Sequence, residues 1–207
     1  MQQNRVRSDS ASALARLISR PDEELIDALN SGELYQVLAS TINAEEIDLR
    51  FLRDGHYTLE TLRERYHAGT TPVGPLALLL VESLYKPWTD DAETFPAMNG
   101  EKGLLMGDPA LHMQELYRCL GFEIPGEFSA QPDHLVLELE FLSALYEHGN
   151  DALVYQFMKD HVDWIPDLLA QCAASGIAPF YRSVLRLIDF FIKKERSRLG
   201  SLHEVNV

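Results

Sequence analysis

The feature that most narrows the fold is helical periodicity running almost uninterrupted along the chain. In "APFYRSVLRLIDFFIKKERSRLG", Arg182, Arg186, Asp189, Lys193 and Arg196 recur at spacings of four, three, four and three. Val184, Leu185, Leu187, Ile188, Phe191 and Ile192 fill the positions between. At 3.6 residues per turn the first set forms a polar stripe and the second an apolar face. The same period is carried by "DSASALARLIS", "PDEELIDALNSG", "ELYQVLASTI", "AEEIDLRFL" and "TLETLRERYHAG". "PLALLLVESLY", starting at Pro75, is apolar nearly all round and is expected as a central helix. Asp108-Pro109 opens "DPALHMQELYRCLG" and Gly121 stops it, a start and stop of ordinary helix chemistry. "NDALVYQFMKDHVDWIPDLLAQCAASG" is expected to break or kink at Pro166. No alternating strand or Asn-Gly hairpin competes. The expected fold is all-α, a single helical domain of about nine to eleven helices.

Two irregular stretches interrupt this pattern. Lys86 to Gly107 holds two prolines and three glycines, and a loop this long in a compact domain is usually functional or mobile. Phe122 to Gln131 reads as a hinge between an N-terminal half, 9–121, and a C-terminal half, 132–199. Such a chain is expected as a monomer or as a dimer that exchanges halves.

Composition then excludes several function classes. A net charge of −14 disfavours nucleic acid, where affinity rests on neutralising phosphates. It favours a basic partner or plain solubility. The longest uncharged apolar run, Pro75 to Val81, is too short for a bilayer span, so stable membrane insertion is not expected. The first residues lack the apolar core of a signal peptide. Cys119 and Cys172 stand apart without a second cysteine nearby, which fits a reducing cytoplasm.

One polar pair asks for an explanation. In "QPDHLVLELEFLSALY", His134 and Glu138 fall among Phe141, Leu142 and Leu145, opposite the stripe of Glu140, Ser143 and Glu147. Buried polar groups are costly unless satisfied. His134 with Glu138, and His112 with Glu115, have ligand spacing on a helix. A di-iron bundle needs two Glu-x-x-His units, and only Glu64 to His67 supplies one. No His-Glu-x-x-His, nucleophile elbow or phosphate loop occurs. An enzyme using Asp133, His134 and Glu138 with a metal or nucleotide is one alternative, and a helical adaptor for a folded partner is another. Recognition is the reading that survives: Tyr85 and Trp88 stand at the rim of "ESLYKPW", where amphipathic aromatics serve binding sites.

"ESLYKPW", "GDPALHMQELYRCLGFEIP" and "QPDHLVLELEFLSALY" resemble, in order and spacing, the TorD/DmsD family of redox-enzyme maturation chaperones. Pro132, Asp133, His134 and Glu138 are its most specific mark. "DHVDWIPDLLAQCAASGIAPFYRSVLRLIDFF" resembles the family's closing helices and "ALARLISRPDEELIDALNSGEL" its first ones, while 41–71 matches loosely. The loop after Trp88, with Asp90, Asp91 and Glu93, departs from the pattern. The resemblance implies a cytoplasmic chaperone without cofactor or catalysis. Its partner would be the twin-arginine signal peptide and the body of a molybdopterin-containing oxidoreductase subunit, held until cofactor insertion and folding precede export. Tyr85, Trp88, Pro132, Asp133, His134 and Glu138 would line or brace the recognition region. Asp133, at the helix start, is expected to be the carboxylate most available to guanidinium. Glu138 is expected to brace His134 from inside, with direct client contact as the alternative.

Overall fold

The computed structural model describes residues 2–67, 79–174 and 177–205. Among these the chain forms ten α-helices and no strand beyond two isolated bridges. They are α1 (Gln2–Ile18), α2 (Glu23–Asn30), α3 (Glu33–Ala39), α4 (Arg50–Arg53) and α5 (Leu59–His67). After the loop come α6 (Asp108–Leu120), α7 (Leu135–His148), α8 (Asp151–Asp160), α9 (Ile165–Ala174) and α10 (Pro179–Val205). The all-α expectation holds.

Helices α1, α7 and α10 form the centre. Ser8, Ala11 and Ala15 put a buried small-residue stripe on α1, which allows a neighbouring helix to approach closely. That neighbour is α7, with which α1 makes its most extensive contact. Ser8 and Ser143 join the two helices through a hydroxyl–hydroxyl bond of 2.8 Å, and the Ser143 hydroxyl also donates to the Ser8 carbonyl. Buried Glu195 of α10 closes the triangle: it accepts from Tyr146 of α7 at 2.9 Å and pairs with Arg7 of α1 at 3.0 Å. On α10, Val184, Leu185, Leu187, Ile188, Phe191 and Ile192 are buried as the period requires. One core runs from α1 to α10, and Phe122, Ile124 and Phe128 of the expected hinge pack against it.

Three local expectations change. In "PLALLLVESLY" residues 75–78 lie outside the described residues, but 79–85 are not α-helical. Leu80 O accepts from Leu135 N, Glu82 N donates to Asp133 O, and a 3-10 turn follows over Glu82–Leu84. An apolar run that is buried all round has no period to distinguish its conformation, and pairing with the start of α7 decides it here. In "AEEIDLRFL" only the last three residues, 50–52, are helical, in α4 that ends at Arg53. Asn43 and Asp48 side chains accept the N–H groups of Glu45 and Arg50, local bonds that compete with a helix ladder. Pro166 breaks nothing. It stands in the first turn of α9, where its missing N–H is harmless, and the interruption lies before it, in the 3-10 turn Val162–Trp164.

The 86–107 stretch is irregular, as expected, and well tied. Trp88 N donates to Glu101 O, Gly100 N to Thr89 O, and Asp108 N to Trp88 O at 2.6 Å. Trp88 Nε1 donates to Leu105 O at 3.1 Å. Gly107 makes the closure possible, because a Cβ there would lie 2.5 Å from Trp88 O and 2.8 Å from Trp88 Cα, both backbone. Gly107→Ala is expected to cost about 1–3 kcal/mol through overpacking. Denaturant melts followed by tryptophan fluorescence would check this; an unchanged midpoint would mean that the loop closes without the Gly107–Trp88 contact.

Candidate functional site

The start of α7 and the segment before Trp88 meet in a buried polar cluster. Asp133 Oδ2 accepts from Ser83 N at 2.7 Å and from the Ser83 hydroxyl, fixing the 3-10 turn. That turn points Glu82 inward, where it is fully buried. Glu82 Oε2 lies 2.9 Å from His161 Nδ1, and Glu82 Oε1 lies 2.7 Å from Lys86 Nζ. Lys86 also meets Asp163 Oδ1 at 2.5 Å and donates to Asp160 O. His161 Nε2 continues outward to Nδ1 of exposed His112 at 2.9 Å.

Glu138 lies beneath this chain of contacts and is also fully buried. Its Oε2 accepts from Trp164 Nε1 at 3.2 Å, and the Trp164 ring stacks on Tyr85 at 5.0 Å. Burial, then the charges of Glu82 and Asp133, hold the Glu138 carboxyl well above the usual carboxylate range. Asp133 is also raised, chiefly by burial and against the bonds from Ser83. Burial lowers Lys86, but Glu82 and Asp163 outweigh it and keep the ammonium charged. Glu82, Glu138 and His161 bring one ligand atom each within 4.8 Å of one another, so they are the group among the described residues able to hold a metal. Lys86 already supplies positive charge there.

The structure brings the six expected site residues into one neighbourhood but buries most of them. Asp133 is 0% exposed and committed to Ser83, so it is not the carboxylate available to a guanidinium. The reason is its position just before α7: it caps the neighbouring turn instead of facing water. His134 Nδ1 accepts from Val136 N as the N-cap of α7, and Glu138 takes its bond from Trp164. The expected direct His134–Glu138 brace is not among the hydrogen bonds of the described residues. Pro132 is buried and its carbonyl accepts from Tyr117. Tyr85 is 8% exposed. Only Trp88, half-buried, reaches the surface substantially.

Two cavities complete the picture. One of about 730 Å³ is lined by His134, Tyr66, Phe128, Arg20, Arg63, Glu127 and others, on the side of α7 facing α1 and α5. Another of about 450 Å³ lies around Tyr35 and residues 44–50. Neither includes Trp88, Tyr85 or Asp133. Glu82 and His161 were missed in the sequence because they are paired across 79 positions. The only local trace was the Glu82–Lys86 spacing of one helical turn.

These features define an all-helical protein with a buried, hydrogen-bonded polar cluster. The chain matches the nitrate reductase delta subunit family over residues 28–175, well over half its length, and it belongs to that family. A chaperone protein TorD of Vibrio cholerae serotype O1 is 29% identical over 56% of this chain and 58% of its own length. TorD of a second Vibrio cholerae strain is 26% identical over 87% of this chain and 85% of its own. TorD of Shewanella pealeana is 25% identical over 51% and 48%. The chain thus spans about half the length of two of these three relatives. No solved structure gives a significant match. The comparisons bear out the resemblance to the TorD-like family. No described helix is long and apolar enough to cross a membrane.

Two substitutions test the cluster. Asp133→Ala leaves the buried Ser83 N–H and hydroxyl without their acceptor and is expected to cost about 2 kcal/mol in denaturant melts. Glu138 binds its proton more tightly folded than unfolded. Its stabilising contribution is therefore complete below the unfolded value of about pH 4 and is lost as pH rises through the raised folded value. Glu138→Gln keeps an acceptor for Trp164 and does not titrate, so its thermal midpoint should gain on wild type as pH rises above the unfolded value of about 4. A pH-independent difference would show that Glu138 ionises normally.

Proposed function

We propose that the protein is a cytoplasmic chaperone for a molybdopterin-containing oxidoreductase subunit, binding its twin-arginine signal peptide and its body before export. The single observation that carries this reading is the family match over residues 28–175, supported by relatives named as TorD chaperones. The charge of −14 supports it too, since surplus acid speeds encounter with a cationic leader at low salt. Holding a client until its cofactor is inserted requires recognition and release, not bond making.

In this reading the six residues divide by exposure. Trp88 touches the client directly, offering a face on which guanidinium stacks. Tyr85, Pro132, Asp133, His134 and Glu138 act behind it: they keep segment 80–88 pinned to the start of α7, so that Trp88 is presented in one orientation. A preorganised surface gains affinity by avoiding ordering costs on binding.

The test is calorimetric titration with a synthetic leader peptide carrying two consecutive arginines before its apolar stretch, and with its Lys-Lys variant. Planar guanidinium pairs bidentately with carboxylate and stacks on rings, whereas ammonium does neither, so the Lys-Lys peptide is expected to bind at least about tenfold more weakly. Affinity should also fall as salt rises. Equal affinity for both peptides would remove the twin-arginine reading, and recovery of no molybdoenzyme subunit on affinity purification from anaerobically grown cells would remove the client class.

A further inference from the structure

Six large hydrophobic side chains are exposed among the described residues, and four of them fall between residues 95 and 111. They are Phe95 (46% exposed), Leu104 (40%), Leu105 (43%) and Leu111 (51%). Phe95 and Leu105 contact Trp88 directly, and Leu104 and Leu111 are adjacent in the chain or bonded to residues that do. The Phe95 ring meets the Trp88 ring edge-on at 5.6 Å. Leu105 O accepts from Trp88 Nε1, and Leu104 is its neighbour. Trp88 O holds Asp108 N at the start of α6, and Leu111 N bonds back to Gly107 O one turn on. Met106, between Leu105 and Gly107, has a φ of +59°, a left-handed conformation that a non-glycine residue adopts only when its surroundings impose it. The apolar groups are therefore held out in water by a loop whose backbone bonds are made, not exposed by a loose one.

The segment that carries these side chains is acidic at its surface. Asp90, Asp91, Glu93, Glu101 and Asp108 are all exposed, against Lys102 alone between residues 88 and 111. Asp91 caps the N–H groups of Glu93 and Thr94, and the Thr94 side chain first, then these N–H groups, lower its carboxyl pKa. A contiguous apolar patch with a polar rim marks an interaction surface. Here the charge of the segment names the occupant: an apolar stretch flanked by basic residues.

We infer that the face formed by Phe95, Leu104, Leu105 and Leu111 around Trp88 is where the client's cationic, apolar leader docks, and that the Pro132–Glu138 cluster never touches it. This rests on the chaperone reading and assigns its binding surface to the loop that departs from the family pattern. The leader's guanidiniums meet the acids of this segment, and its apolar stretch covers the leucines and Phe95.

The test uses the full chain and the same Arg-Arg leader peptide, followed by calorimetry and tryptophan fluorescence. Phe95→Ser with Leu105→Ser is expected to weaken binding at least tenfold while the thermal midpoint stays at the wild-type value. Leu111→Lys, outside the loop on α6, should weaken it independently by placing a like charge against the peptide. Asp90→Asn with Glu93→Gln should flatten the salt dependence. Wild-type affinity in the first two variants, with the wild-type chain binding normally, would overturn this assignment and leave the chaperone reading standing. Failure of the wild-type chain to bind the peptide would overturn both. Loss of self-association in sedimentation, with peptide affinity retained, would make the face a contact between copies of this chain and would also overturn the inference.

Discussion

Burial of the Glu138 carboxyl beside Glu82 is the constraint around which the centre of this molecule is arranged. Two carboxyl groups cannot both be charged in an apolar interior without large cost. Burial and the neighbouring acids push the Glu138 carboxyl toward its neutral form, and Glu82 meets both the Lys86 ammonium and the His161 ring. The partners arrive from different parts of the chain: Glu82 from the turn before the loop, Lys86 from the loop's first position, Glu138 from α7, His161 from the end of α8, and Trp164 from the turn after it. Satisfying the two acids thus fixes where all of these parts lie.

A network of this kind contributes specificity of arrangement more than net stability. Its visible consequence is the extended path of residues 80–82, bonded to the start of α7 through Leu80, Glu82 and Asp133. From there the 3-10 turn, capped by Asp133, sets the direction of Tyr85 and Trp88. Tyr85 turns inward onto Trp164, and Trp88 three residues later turns outward into the loop. A buried acid cluster and an exposed apolar face are two ends of one rigid segment.

The α1–α7–α10 triangle supports that segment from the other side. Small residues on α1 admit α7 closely, and Glu195 ties Tyr146, Arg7 and Arg198 together. With α7 held along its length, its N-terminus is a fixed platform. Asp133 and His134 can then serve as caps, one for the neighbouring turn and one for α7 itself. The residues that carry the family resemblance most strongly make internal bonds in this structure, with partners far along the chain that residue type alone does not reveal.

Local chemistry determined most of the helices. The stripe on α10, Asp108-Pro109 with Gly121 around α6, and Asp22 capping α2 all follow from side chains within a few positions of one another. The inward position of His134 and Glu138 was legible for the same reason, since face is a matter of period. Partners were not. Glu82 finds His161 at a separation of 79 residues, and Asp133 finds Ser83 at 50. The conformation of 79–85 depended on the start of α7, because an apolar run with no polar face has no preference of its own to express. Tertiary structure alone decided which acids are buried and which face water, because desolvation is set by what packs overhead and not by neighbours in the chain.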